Sequence, residues 1–311
     1  MAANKGRILV TLSTFCEEDD TPRRLLRDSG FEFVENPSGK RITPEQLLAM
    51  GTDWSGLVAG VEPYRPETLS LLPQLKCISR VGVGIDSIDL DYCRTRGIVV
   101  RNTPDAPTAA VAEMTLALLL DVLKRLSYHD GLMKQHKWSR RTGLMLAGKT
   151  VGIVGTGRIG RRTAELLAGL GVTLRGCDVN EDAAWAKTIG LTYCSLGELL
   201  SSCDIVCLHA AREAGSPPLV DAAAIGRMKR GAILVNTARG HVVDYEALTA
   251  ALADGRLGGA GLDVYPKEPY DGPLCDMDNV VLTPHISTLT RETRIEMETL
   301  AIENLLEELR R

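Results

Sequence analysis

Short apolar runs recur along the chain, each followed by a stretch in which apolar positions return every three or four residues. That alternation predicts parallel β-strands joined by crossover helices. It occurs in two series, with strands expected at residues 7–12, 31–34, 56–59, 77–80 and 98–101, and then at 150–154, 172–177, 204–209, 232–236, 259–264 and 279–282. The expected fold class is α/β, with two doubly wound parallel sheets. Between the series, residues 107–125 read as one long helix that is apolar almost all round, which suggests burial at a domain or subunit interface. A last helix is expected over residues 291–311, placed after the final strand so that it can return to the first domain.

The second series opens on Val151-Gly-Ile-Val-Gly-Thr-Gly-Arg-Ile-Gly160, an apolar run entering a Gly-x-Gly-x-x-Gly turn that a helix-forming stretch follows. Gly155 allows the tight turn, Gly157 leaves the backbone bare for a pyrophosphate, and Gly160 lets the helix pack closely on the strand. Unpaired N–H groups and the helix dipole then favour the anion. The next strand ends at Asp178, close to the spacing of a ribose ligand, which lifts the motif above an ordinary glycine turn in a βα unit. A carboxylate accepts from both ribose hydroxyls and repels a 2′-phosphate, so NAD is expected over NADP. No cationic cluster surrounds it: Arg175 precedes the acid, and Asn180, Glu181 and Asp182 follow.

Composition narrows the class further. The 311 residues and 44% hydrophobic content suit two cores, and 36 Lys plus Arg against 40 Asp plus Glu give a net charge of −4. Without a basic block, nucleic acid is not an expected partner. The longest apolar run, residues 116–120, is far too short to cross a bilayer, and no leader-like segment opens the chain. A cytoplasmic, membrane-free protein is expected. The 8 cysteines lie mostly in apolar segments without CxxC spacing, which predicts reduced packing residues and no metal site.

Five blocks in order carry a family resemblance: Arg80-Val-Gly-Val-Gly-Ile-Asp-Ser-Ile-Asp89, the glycine turn, Val235-Asn-Thr-Ala-Arg-Gly240, Leu262-Asp-Val-Tyr-Pro-Lys-Glu-Pro269 and Thr283-Pro-His-Ile-Ser287. Over nearly its whole length the chain resembles the D-isomer-specific 2-hydroxyacid dehydrogenases, especially their phosphoglycerate, glycerate and hydroxypyruvate branch. The resemblance implies two Rossmann-like domains, with an NAD-binding domain at 103–288 inserted into a discontinuous substrate domain at 1–102 and 289–311, and a site in the cleft between them.

It also implies roles. His285 is the general acid, Glu268 holds and charges its imidazole, and Arg239 grips the substrate carboxylate and polarises the carbonyl. A guanidinium binds a carboxylate through two N–H groups, and histidine alone titrates unaided near neutrality. Backbone N–H groups of Val83 and Gly84 would meet the substrate carboxylate. Arg158 and Ile159 would meet the pyrophosphate, Asp178 the ribose and Asp263 the nicotinamide carboxamide. Thr237 and Ala238 would line the ring's approach, with His209 and Ala210 beside the adenosine. A helix-start cation, a loop acid and a backbone-satisfied histidine are the plain alternatives for Arg239, Glu268 and His285.

Two segments depart from the family pattern. Residues 210–218 replace a proline-bearing, threonine-containing loop, which leaves the chain's course beside the cofactor open. Ala59-Gly-Val-Glu-Pro63 lacks the basic residue a phosphorylated substrate wants, although Arg80, Arg65 or a second subunit could supply charge. The leading expectation is an NAD-dependent dehydrogenase of a small D-2-hydroxy acid, assembled as a homodimer. A 2-imino acid reductase and a non-enzymatic NAD-sensing corepressor of the same fold stay open beside it.

Overall fold

The computed structural model describes residues 6–210, Arg212 and residues 215–311; Ala211, Glu213 and Ala214, in the loop that departs from the family pattern, lie outside the described residues. Two compact units emerge, one running to Pro107 and resuming at Leu289–Arg311, the other spanning Thr108–Thr288. The first division falls at Pro107 and not at 102, because Ala106 still packs into the first unit's core.

In the first unit, β1 (Arg7–Val10), β2 (Glu32–Glu35), β3 (Trp54–Ala59), β4 (Cys77–Arg80) and β5 (Val99–Arg101) form a sheet of order β2-β1-β3-β4-β5. Every neighbouring pair is parallel. The strand order reverses between β1 and β3, and in open α/β sheets ligands bind beyond the carboxyl ends of the strands at such a point. All of β3 is buried, the two-faced burial that makes parallel strands read as continuous apolar runs. The terminal helix Arg291–Arg310 lays Met297, Ala301, Ile302, Leu305 and Leu306 against Ile8, Val10, Val58 and Cys77. Gly56 permits that closeness, since a Cβ there would lie 2.8 Å from Leu305 Cδ1.

The second unit's sheet contains β6 (Thr150–Val154), β7 (Thr173–Cys177), β8 (Leu191–Tyr193), β9 (Ile205–Leu208), β10 (Ala232–Asn236), β11 (Leu257–Leu262) and β12 (Val280–Leu282). Its order is β12-β11-β10-β9-β6-β7-β8, again all parallel. The glycine turn leaves β6 at this sheet's own reversal point, where β6 sits between β9 and β7. Edge strand β8 was absent from the expected series; at 3 residues it is too short to show a period.

The helix expected over 107–125 runs Thr108–Lys124, and Arg125 ends it by turning to φ 54°. A Cβ on Gly261 would lie 2.9 Å from Leu118 Cβ, and one on Gly259 2.7 Å from Val122 Cγ1, so the helix lies directly on β11. Much of its apolar surface is thus covered inside its own unit. The next helix, Leu126–Lys134, buries none of its residues, and Leu126, Met133, Trp138, Leu144 and Met145 are exposed. Among the described residues no helix is long and apolar enough to cross a membrane.

Candidate active site

Within the second unit, β10 ends in Asn236, a fully buried amide in an otherwise apolar strand. Its Nδ2 donates to the Arg239 carbonyl (2.9 Å) and its Oδ1 accepts from the Ala238 amide (3.0 Å), which shapes the 237–239 turn from inside. Thr237 is anchored too, its hydroxyl 2.9 Å from that of buried Thr115 on the helix Thr108–Lys124. The backbone under Arg239 is therefore rigid on both sides. Sequence reasoning passed over Asn236 and Thr115, although a polar residue closing an apolar strand is a readable signal.

Glu268 and His285 meet directly: His285 Nδ1 lies 3.0 Å from Oε2 and 3.2 Å from Oε1. The Tyr265 amide donates to Oε1 at 3.1 Å. Burial opposes ionisation of Glu268, but the hydrogen bond and charge of His285, the Tyr265 amide and the charge of Arg239 outweigh it. The carboxyl is held below its ordinary range. Nδ1 is committed to Glu268, leaving Nε2 as the ring nitrogen that can serve a substrate.

Asp263 holds the loop that carries His285. It is fully buried; Oδ1 accepts from the Thr283 hydroxyl (2.6 Å) and the Ile286 amide (2.8 Å), and Oδ2 from the Ser287 amide (2.9 Å) and the Ser287 hydroxyl. Four donors occupy a carboxylate's acceptor sites. These bonds make Asp263 a latch for the loop that carries His285. Tyr265 adds a second tie, its hydroxyl 2.9 Å from the Thr283 carbonyl and 3.1 Å from that of Leu262. His285 itself takes φ 55°, a left-handed backbone that such ties can hold in place.

The glycine turn has the features of a dinucleotide cradle. Gly155, at φ 92°, has no room for a side chain, since a Cβ would meet the Ala210 nitrogen at 2.6 Å. A Cβ on Gly160 would strike the Gly155 carbonyl at 1.9 Å, whereas one on Gly157 would meet no protein atom within 4 Å. Packing thus explains two of the glycines, and space for a ligand explains the third. The helix Arg158–Ala168 starts at Gly157 with no side-chain cap, which leaves the first amides available to an anion. Asp178 accepts from the amides of Thr156 (2.5 Å) and Asn180 (2.9 Å), tying the turn to the end of β7. His209 follows β9; its Nε2 is buried with no hydrogen-bond partner among the described residues, and burial pushes the ring down to about 4, so it stays neutral at neutral pH. An orphaned ring nitrogen beside this turn is a place for a ligand's polar group.

Within the first unit, the loop after β4 is pinned by residues the motif reading did not single out. The Gly82 amide donates to the Thr103 hydroxyl (2.8 Å) and Asn102 Nδ2 to the Val83 carbonyl (2.7 Å). Gly82 takes φ 129°, and Val83 is exposed with Gly84 half-buried. Among the described residues, no group of His, Cys, Asp and Glu side chains is arranged to hold a metal ion.

Residues 116–287 match the family model of the D-isomer specific 2-hydroxyacid dehydrogenase, NAD binding domain. The chain is 36% identical over 281 residues to a glyoxylate reductase of Korarchaeum cryptofilum, covering 88% of this chain and 83% of that one. It is 37% identical to a D-3-phosphoglycerate dehydrogenase of Archaeoglobus fulgidus over 90% of this chain, but spans only 54% of that relative. Among solved structures it superimposes on the TT0316 protein of Thermus thermophilus with a TM-score of 0.89 at 36% identity, covering 98% of this chain and 97% of the other. The chain belongs to the D-isomer specific 2-hydroxyacid dehydrogenase family.

Proposed function

We propose that this protein is an NAD-dependent oxidoreductase that interconverts a small D-2-hydroxy acid and its 2-oxo acid, acting in the cytoplasm. The observation that carries this reading is the His285–Glu268 pair, with Arg239 close enough to act on it, in the unit that also holds the glycine turn. Gly155, Gly157, Arg158, Ile159, Gly160 and Asp178 would hold NAD, which would supply hydride-transfer chemistry. Arg239 binds the substrate carboxylate and, with the charge that develops on the carbonyl oxygen, lowers the barrier. His285 gives its Nε2 proton to that oxygen during reduction and takes it back during oxidation, while ionised Glu268 fixes the ring through Nδ1. Asp263 and Tyr265 keep the His285 loop in position.

The substrate panel that tests this contains glyoxylate, pyruvate, hydroxypyruvate, a branched 2-oxo acid and phosphohydroxypyruvate, each with NADH and NADPH. Turnover of at least one unphosphorylated 2-oxo acid with NADH is expected. No turnover anywhere in the panel would overturn the reading.

Asp178 is proposed to select NAD. Asp178→Ala should weaken NADH by about 10-fold through lost charge-assisted hydrogen bonds, and so narrow the gap to NADPH. A wild-type preference for NADPH in the same assay contradicts the assignment.

The exposed Leu126, Met133, Trp138, Leu144 and Met145 support a homodimer, because apolar side chains concentrated on one segment are the usual mark of an interface. Light scattering should return twice the 33.7 kDa chain mass, and Trp138→Asp with Met145→Asp should halve it. A monomer at high concentration excludes this interface.

A further inference from the structure

Tyr245 opens the helix Tyr245–Ala253, directly after the cap Asp244, whose side chain accepts from the amides of Glu246 (3.1 Å) and Ala247 (3.0 Å). The cap fixes the point from which the ring projects. Its hydroxyl donates to the Val264 carbonyl, and the Asn236 side-chain amide hydrogen-bonds to the same hydroxyl. Both partners lie in the stretches that carry the reactive side chains. Asn236 shapes the turn under Arg239, through the Arg239 carbonyl and the Ala238 amide. Val264 stands between Asp263, which latches the His285 loop, and Tyr265, whose amide donates to Glu268.

Packing presses the same stretches together. A Cβ on Gly240 would lie 1.9 Å from the Tyr265 carbonyl carbon, so the chain just after Arg239 runs directly against the backbone that leads to Glu268. Tyr265 and Tyr270 stack with ring centroids 4.7 Å apart, and Tyr245 packs against them at 6.3 and 6.2 Å. The Glu268 segment is thus gripped on both sides. A phenylalanine at 245 could supply the ring; the hydroxyl adds a polar tie that reaches both stretches. Burial pushes its ionisation far above the ordinary phenol range, so it remains a donor throughout the neutral range.

We propose that Tyr245 is a positioning residue: its hydroxyl fixes the Arg239 turn relative to the Glu268–His285 pair, so that carboxylate binding and proton transfer act on one bound 2-oxo acid. This deepens the dehydrogenase reading and rests on it. Misplacing a catalytic group by about 1 Å costs up to about 10²-fold, so a hydroxyl that governs such a distance should be visible in turnover.

Reduction of a 2-oxo acid that the wild type turns over, measured with NADH in wild type, Tyr245→Phe, Arg239→Met and the double variant, tests it. Phenylalanine keeps the ring and deletes the hydroxyl alone. In Tyr245→Phe, kcat/KM for the oxo acid should fall about 10-fold, with its KM raised and the primary isotope effect from 4-deuterated NADH enlarged. NADH affinity by fluorescence titration should not change, since the glycine turn is untouched. In the Arg239→Met background the same substitution should cost less than about 2-fold, because the tie has no guanidinium left to place. A fall in kcat with KM and isotope effect unaltered reports only a smaller folded fraction, and overturns the proposal. Wild-type kcat/KM in Tyr245→Phe, or equal losses with and without Arg239, overturn it as well. So does a Tyr245→Phe protein without native circular dichroism, for the hydroxyl then serves stability instead. Each of these leaves the dehydrogenase reading standing on wild-type turnover, whereas a wild type that reduces no 2-oxo acid overturns both.

Discussion

Replacing His285 with alanine should lower kcat/KM for 2-oxo acid reduction by about 10²-fold or more, since a positioned proton donor contributes that much to such a step. The expected cause is the loss of the only ring nitrogen left for the substrate, because Nδ1 is held by Glu268 at 3.0 Å. Glu268→Gln isolates the electrostatic part. Glu268 is held below the ordinary carboxylate range, with burial opposing that direction and His285 and its neighbours prevailing, so it is ionised wherever the enzyme works. Glutamine keeps the shape but removes the charged acceptor that holds the ring by Nδ1, so kcat/KM for reduction should fall in this variant too. Near-normal turnover in His285→Ala, or in Glu268→Gln with chemistry rate-limiting, removes the pair from the mechanism.

Arg239→Met should cost about 10²–10³-fold in kcat/KM, the range found when a preorganised group facing developing charge is lost. Both parameters should change: KM rises because the carboxylate loses a bidentate partner, and kcat falls because the carbonyl is no longer polarised. Lysine should rescue only part of the loss, since a point charge cannot reproduce the planar fork. The Asn236 and Thr237 anchors lie in the backbone and in neighbouring side chains, so the methionine variant should keep the turn and its melting temperature. An unaltered KM for every 2-oxo acid would show that Arg239 does not bind the carboxylate.

Much of the fold was legible in the chain. The strands at 77–80, 150–154 and 232–236 have the same bounds in the sequence reading and in the structure, because two-faced burial makes each a largely apolar run. β8 was not legible, for an edge strand this short leaves no periodic trace. That the all-round apolar helix lies on its own sheet, where glycines at 259 and 261 make room for it, was visible only in the structure.

At the site, it was the resemblance of whole motifs to the family that pointed to Arg239, Glu268 and His285, and the structure brings Glu268 and His285 into direct contact. Which oxygen bonds to which donor was beyond the sequence. That Asp263 is buried under four donors and latches the His285 loop became visible only in the structure. The chain by itself determined the α/β class and the glycine turn, since those depend on local periodicity and intrinsic backbone preference. Tertiary structure alone decided that Thr11, Glu62 and Tyr64 share one buried cluster, that Thr115 braces Thr237, and that Asn102 and Thr103 pin the Gly82 loop. Those contacts join residues far apart in the chain through packing of whole elements, and no local pattern encodes them.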